Sequence, residues 1–283
     1  MRVLVAGCGW LGAAIGRALV ARGDRVVGVR RDPASAGALA RLGIEPLVLD
    51  LAAPGAVARI PAADAVIACQ AAGREGVEAY RAAYLLATGA LLEAAARDGA
   101  GAFVYTGSTG VFGQRDGSEV REETPLAPAG PAAAVLAEAE ALVRTAPERC
   151  GVPARVVRLS GLYGPGRAGT IERVRSGALA LGPGDGAFMN FCHLEDAVAF
   201  ALGALARGAP GAVYHGTDAS PPRRREVVAW IAARLGIEPP RSAGPGDRAG
   251  PDRRVSSVAT RAALGIALRF PTFREGFEPL LPR

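Results

Sequence analysis

The run Val3-Leu4-Val5-Ala6 passes straight into Gly7-Cys8-Gly9-Trp10-Leu11-Gly12. An apolar run thus enters a G-x-G-x-x-G, and an amphipathic helical pattern leaves it. This is the wiring of a dinucleotide-binding βα turn. The first glycine allows the tight turn, the second lets backbone approach a pyrophosphate, and the third lets helix pack on strand. The pyrophosphate would sit on the helix N-terminus, where free N–H groups and the helix dipole favour an anion. The feature constrains the fold and the cofactor class, but not the reaction.

Strand-like and helix-like patterns alternate through the first half of the chain. Strand runs are read at 2–6, 25–29, 46–50, 64–69, 102–106 and 154–159, with helical stretches at 11–22, 34–42, 78–97 and 132–145. This order predicts an α/β fold with a doubly wound parallel sheet of Rossmann type. Residues 1–165 are expected to form the dinucleotide-binding domain. Residues 166–283 are expected to form a small substrate-binding lobe interleaved with it, with helices near 170–179, 195–207 and 223–236 and a strand near 211–215. Proline places irregular structure at 114–131, which holds Pro125, Pro128 and Pro131. The Pro/Gly-rich stretch 238–254 reads as a long loop, and such loops are often lids. Phe270-Pro271-Thr272-Phe273 reads as a turn into a final helix.

With 283 residues, the chain is long enough for one large domain or a domain plus a lobe. It holds no apolar run of about 20 residues, so no membrane span is expected. Met1-Arg2-Val3 enters the first strand directly, with no signal peptide read before it. Cys8, Cys69, Cys150 and Cys192 lie far apart and form no C-x-x-C, which suits a reduced, cytoplasmic protein without a zinc site. The net charge is +6, and all 33 basic residues are arginine. They are scattered, and the single run, Arg223-Arg224-Arg225, precedes a helical stretch, so nucleic acid is not an expected partner. A small-molecule substrate is.

The end of the second strand bears on the cofactor. NAD sites place an acid there to hold the ribose 2′-hydroxyl. This chain has Arg30 and Arg31. A guanidinium cannot accept those hydrogen bonds, but its fork suits a 2′-phosphate. NADP is therefore favoured over NAD. The competing reading leaves both arginines in solvent and gives the ribose to Asp32. Asp50, ending the third strand run with Leu51 after it, could accept from the adenine amino group, or serve as a turn or cap residue. The fourth run ends in Cys69, Gln70 and Ala71, small enough to admit a ribose or nicotinamide. Gly7, Gly9, Trp10, Leu11 and Gly12 complete the expected cofactor site, and Cys69 is read as packing rather than as a nucleophile.

Three later segments carry a resemblance: Val104-Tyr105-Thr106-Gly107-Ser108-Thr109-Gly110-Val111-Phe112-Gly113, Arg158-Leu159-Ser160-Gly161-Leu162-Tyr163-Gly164-Pro165-Gly166-Arg167, and the H-x-x-D of His193-Leu194-Glu195-Asp196. Together with Glu122-Glu123-Thr124-Pro125 they resemble the extended short-chain dehydrogenase/reductase family, which includes NAD-dependent epimerases and dehydratases of nucleotide sugars. The resemblance spans roughly residues 1–278. It implies that Ser108, with Thr109 beside it, contacts the substrate oxygen that gains or loses a proton. It also implies a tyrosine followed four residues later by a lysine, in which the lysine lowers the phenol pKa and the phenol moves the proton. This chain has no lysine, and no tyrosine between Tyr105 and Tyr163. The family's glutamate, set on Glu140, leaves Ala132 and Leu136 at the paired positions; set on Glu138, it leaves Gly130 and Ala134.

Other groups would then have to move the proton. Candidates are Ser108 with Thr109, Tyr163, His193, Glu195 and Asp196, although His193 and Asp196 also suit structural roles at the start of a helix. Arg254, in the basic segment Arg253-Arg254-Val255-Ser256-Ser257, could meet an anionic substrate group or be a surface residue. Three functions remain open: an NADP-dependent oxidoreductase or epimerase-like enzyme with a non-standard proton donor, a non-catalytic NADP-binding sensor or accessory protein, and a redox-neutral isomerase or lyase. The resemblance further suggests a homodimer through the helices near 78–97 and 132–145.

Overall fold

The computed structural model describes residues 1–73, 76–241 and 250–282. Strand β1 (Arg2–Ala6) leads into helix α1 (Trp10–Ala21), then β2 (Arg25–Arg30), α2 (Pro33–Ala40), β3 (Glu45–Val48), the single turn α3 (Ala56–Arg59) and β4 (Ala65–Ala68). A long helix follows, made of α4 (Gly76–Tyr80), a π-helical turn over Arg81–Leu86 and α5 (Ala87–Asp98), and it feeds β5 (Ala102–Ser108). Next come β6 (Arg115–Val120), α6 (Pro131–Arg144), α7 (Ala146–Cys150), β7 (Ala154–Leu159) and β8 (Gly161–Tyr163). The last part carries α8 (Gly169–Arg175), β9 (Phe191–His193), α9 (Leu194–Arg207), β10 (Val213–Gly216), α10 (Arg224–Leu235), β11 (Asp252–Val255), α11 (Val258–Leu264) and α12 (Phe273–Phe277).

Seven strands form one parallel sheet in the order β10-β7-β5-β4-β1-β2-β3. Alternation along β1 explains its two covered faces. Leu4 and Ala6 join Val66, Phe103, Leu91 and Val143 on one side, under α5 and α6. Val3 and Val5 join Ile67, Ile15, Leu19 and Phe200 on the other, under α1 and α9. This is the doubly wound Rossmann-type fold read from the sequence. A further apolar cluster gathers Tyr163, Val174, Phe191, Ile231 and Phe277 from β8, α8, β9, α10 and α12. No helix among the described residues is long and apolar enough to cross a membrane.

The strand order reverses between β1 and β4, so a crevice opens outside their carboxyl ends, where such sheets bind ligands. α12 begins with the capping box of Thr272 and Glu275, as the expected turn into a final helix requires.

Two expectations are corrected. The segment 114–131 is not wholly irregular, because Arg115–Val120 forms β6. The stretch 238–254 likewise ends in a strand, β11, which pairs in parallel with β6. Residues 242–249 of the expected lid lie outside the described residues. Both strands are rich in charge, with only Val120 and Val255 turned into a small core beside Val111 and Phe112. Their prolines fall outside the paired residues, and Pro131 opens α6 at the position where a missing N–H costs nothing.

Beneath this pair lies a buried polar network. Arg158, 1% exposed, donates from Nε and Nη2 to the Glu140 carboxylate at 2.8 and 2.6 Å. Its Nη1 reaches the Glu122 carbonyl at 3.2 Å and His215 Nε2 at 3.1 Å. Because a guanidinium only donates, His215 Nε2 must accept, and Nδ1–H then donates to the Ser256 carbonyl at 3.0 Å. The imidazole is therefore neutral. Burial first, and Arg158 beside it, push its pKa down to about 4, against the opposing pull of Glu122.

A pH dependence follows. The folded pKa lies below the unfolded value near 6.5. The stabilisation is complete above that value and is lost as pH falls through the folded one, because the unfolded chain binds the proton first. Its full extent is about 3 kcal/mol. Asp218, whose carboxyl is pushed up to about 8 by burial, titrates with the opposite sign. The difference between wild type and His215→Gln isolates the imidazole. In urea unfolding, that difference is expected to shrink from pH 7 to pH 4.5, and a pH-independent difference would contradict the neutral buried ring.

Candidate functional site

The crevice at the sheet's reversal is a cleft of about 680 Å³. Gly7, Gly9, Trp10 and Leu11 line it from the β1–α1 turn, and Cys69, Gln70 and Ala71 from the end of β4. Arg30, Arg31, Asp32, Asp50 and Leu51 close the side at β2 and β3, and Ser108 and Thr109 stand at the end of β5.

The glycines divide their labour as steric arguments require. Gly7 has φ +72°, and a Cβ there would collide with Gln70 and stand 2.7 Å from the Cys69 carbonyl carbon. A Cβ on Gly12 would stand 2.7 Å from the Gly7 oxygen and 3.3 Å from Val5, so Gly12 lies behind the cleft, where helix meets strand. Gly9 is different: the nearest atom to its Cβ would be 3.9 Å away. Its vacant side is the open cleft, where a ligand backbone can approach the α1 N-terminus. Gln70 donates from Nε2 to Thr88 at 2.8 Å, while among the described residues its Oε1 is buried without a partner; so is Ser160 Oγ, on the cleft wall. A cradle that only glycine fits, with orphaned acceptors around it, suits a dinucleotide.

The β2 side carries two arginines and two carboxylates. Arg30 reaches the Cys8 carbonyl at 3.4 Å, across the glycine turn, and Arg31 is exposed. Among the described residues neither pairs with a carboxylate. Asp32, the competing ribose acceptor, caps α2 instead: its two oxygens accept from the Ala34 and Ser35 amides at 3.0 and 3.2 Å. Asp50 accepts from the Ala52 amide at 3.0 Å, a local turn bond that leaves its other oxygen free. Leu51 is 6% exposed and belongs mainly to the core.

Two thiols, Cys8 and Cys69, line the cleft. Burial pushes Cys69 up to about 12 and Cys8 up to about 11, so neither supplies a thiolate near neutral pH.

Ser108 ends β5 and caps the short 3₁₀ turn that follows, its Oγ accepting from the Gly110 amide at 3.0 Å. The hydroxyl proton remains available to a substrate oxygen. Thr109 is buried, and its carbonyl accepts from Arg253 Nη2 at 2.8 Å. Tyr163 is not brought to the cleft. It is 3% exposed, packed against Phe191, His193 and Phe277, and its phenol lies against Gly276 without a hydrogen-bond partner. Burial and the neighbouring Asp218 raise its pKa, which removes it further from proton transfer.

The other candidate proton donors have structural work. His193 Nδ1 caps α9 at the Glu195 amide, and burial lowers its pKa. Asp196 accepts from the Arg269 and Phe270 amides at 2.7 and 3.1 Å, and Glu195 pairs with Arg269. In the basic segment it is Arg253, not Arg254, that is buried beside Thr109; Arg254 donates to the Gly117 carbonyl at the surface.

Two cleft residues escaped the sequence reading. Tyr84 enters from the π-helical turn, its ring 5.4 Å from that of Tyr80. Burial raises its phenol pKa, opposed by a bond at the Ala72 backbone. A π turn widens a helix and often marks a functional position, but no residue pattern announces it. Arg167, the last residue of the L-Y-G-P-G-R segment, lies on the cleft wall beside Trp10. The motif was visible, but its destination was not.

Comparisons with known proteins bear on the family and the fold. A profile of the NAD dependent epimerase/dehydratase family matches residues 3–215. Protein YeeZ of Escherichia coli strain K12 is 30% identical over 245 residues, covering 84% of this chain and 85% of that protein. The 3-diazoavenalumate denitrifying reductase of a Streptomyces species is 32% identical over 261 residues, covering 86% and 84%. Among solved structures, DesIV, a dTDP-glucose 4,6-dehydratase from Streptomyces venezuelae with NAD bound, superposes with a TM-score of 0.84 over 98% of this chain and 94% of that one, at 22% identity. That likeness shows a shared fold.

Proposed function

The chain belongs to the NAD dependent epimerase/dehydratase family, and on that premise we propose that it is an NADP-dependent oxidoreductase or epimerase-like enzyme that moves its proton without the tyrosine–lysine pair. The observation that carries the reading is the cleft itself, with its glycine cradle and, at the end of β2, two arginines that pair with no carboxylate among the described residues. Gly7, Gly9 and Trp10 would hold the cofactor's diphosphate, Arg30 and Arg31 the 2′-phosphate, and Asp50 the adenine. The bound nicotinamide would supply a hydride donor or acceptor. The curated Streptomyces relative is named a reductase, which supports hydride transfer over a purely structural cofactor.

The chain's own part is to seat a small-molecule substrate and handle its proton. Ser108 would donate to the substrate oxygen, its own oxygen being held by the Gly110 amide. Leu136, which packs beside Val111 and Phe112, takes the place where one setting of the family's helix puts the lysine. Without that cation the usual phenol contribution, about 10²–10⁴-fold, must come from elsewhere or be forgone. Tyr84 is a phenol lining this cleft.

Calorimetric titration with NADPH and NADH tests the reading. NADPH is expected to bind more tightly, and replacing Arg30 with alanine and Arg31 with glutamate is expected to weaken NADPH by about 10–100-fold while sparing NADH. Equal affinity for both in wild type would remove NADP from the reading. Oxidation of NADPH in the presence of a carbonyl panel distinguishes an oxidoreductase from a silent binder.

A further inference from the structure

The geometry points to Arg167 as a clamp on the cofactor's diphosphate, held over the glycine turn by Trp10. This rests on the dinucleotide reading above and adds to it a cation from outside the G-x-G-x-x-G. Gly164 and Arg167 exchange backbone hydrogen bonds at 3.2 and 2.8 Å, closing a tight turn after β8. Its two glycines, at φ +150° and +75°, lie against the indole: a Cβ on either would be in ordinary contact with it, 3.4 Å from Trp10 Cζ2 at Gly164 and 3.7 Å from Nε1 at Gly166. The indole N–H then donates to the Pro165 carbonyl at 2.8 Å. The turn is thereby stapled to the first residue of α1, although the two lie far apart in the chain.

That staple sets the guanidinium 5.4 Å from the Trp10 ring centroid, on the wall of the same cleft as Gly9. Among the described residues no carboxylate lies within salt-bridge distance of it. An unneutralised arginine thus faces an uncharged backbone cradle whose open side is at Gly9. The ligand chemistry that satisfies both is a diphosphate diester. It accepts N–H bonds from the helix N-terminus below and a two-pronged guanidinium contact from above. Arginine suits this better than lysine because its planar fork can hold two oxygens and stack on the indole at once.

The position separates this role from that of Arg30 and Arg31. A diphosphate is common to NADH, NADPH and ADP, whereas the 2′-phosphate belongs to NADPH alone. In calorimetric titrations of the full chain, Arg167→Ala is expected to weaken all three ligands by a similar factor, about tenfold or more. The NADPH-to-NADH ratio should stay at its wild-type value. Arg167→Lys, which keeps the charge and loses the fork, should recover part of the loss, and it answers the same question if the alanine variant loses its fold. In a Trp230→Phe background, Trp10 is the remaining tryptophan of the two, and its emission on ADP binding should change in the parent and much less in Arg167→Ala.

Unchanged affinity of Arg167→Ala for every ligand, in a protein whose wild type binds them, would overturn the clamp and leave the dinucleotide reading standing. A loss confined to NADPH would place Arg167 at the 2′-phosphate, and a loss that spares ADP would place it at the nicotinamide end; either overturns the assignment. If wild type binds none of the three, the clamp and the dinucleotide reading fall together.

Discussion

Gly7→Ala is expected to lower the thermal midpoint by about 3–8 °C, while Gly9→Ala lowers it less and loses the cofactor. The two substitutions add the same methyl group two residues apart. At Gly7 it meets two obstacles. The backbone is left-handed, at φ +72°, which costs an L-residue roughly 1–2 kcal/mol. The methyl also collides with the backbone of Gln70, which cannot give as a flexible side chain can; such overpacking adds about 1–3 kcal/mol. At Gly9 φ is −84°, outside the left-handed region, and the nearest atom to the new carbon would be 3.9 Å away. That methyl enters the space reserved for a ligand. Melting curves and NADPH titrations on both variants separate the effects. Equal stability of the two would refute the steric account of Gly7, and undiminished NADPH binding by Gly9→Ala would refute the placement of the diphosphate.

Arg158→Met is the second large effect. It removes the cation from a pair in which both side chains are almost wholly buried, at 1% and 2% exposure. The Glu140 carboxylate would remain inside without its two strong donors. Breaking such a pair typically costs about 3–5 kcal/mol, much of it the penalty of the charge left behind. Adding Glu140→Leu removes that charge, so the double variant is expected to be more stable than Arg158→Met alone. A second readout follows from His215. Arg158 is one of the causes that depress the imidazole pKa, and its removal lets the ring take up a proton at higher pH. Arg158→Met should therefore begin to lose stability at a higher pH than wild type as acid is added. If the single and double variants unfold at the same urea concentration, the buried pair is not the source of the loss.

The main sheet was legible because its inner strands are buried on both faces. Val3-Leu4-Val5 and Ala65-Val66-Ile67 are apolar without interruption, and glycine or proline stands near their ends. The glycine turn was legible for a related reason, since Gly7 and Gly12 answer steric demands where strand passes into helix. The pairing of β6 with β11 was not. Arg115–Val120 and Asp252–Val255 are mostly polar or charged and find each other across more than a hundred positions, so no local period reveals them. Tyr163 shows a different limit. A motif that follows a strand at the substrate side gives position along the chain, but the burial of this phenol is decided by Phe277 and Gly276, from the chain's far end. Arg167 was displayed in its motif for the same reason without a role, because its role depends on where Trp10 holds the turn.

The place of β10 at the end of the sheet bears on how the chain is made. β7 is complete at Leu159, but its outer neighbour begins only at Val213. On a ribosome, at ordinary rates of synthesis, a few seconds separate the emergence of the two. Throughout that interval the nascent sheet presents an open, apolar margin to which any extended polypeptide could add itself. A chain stalled or cut between those strands would carry its glycine turn and a bare β7 edge, and β10 relieves that edge by moving the sheet's margin out to a strand of only four residues.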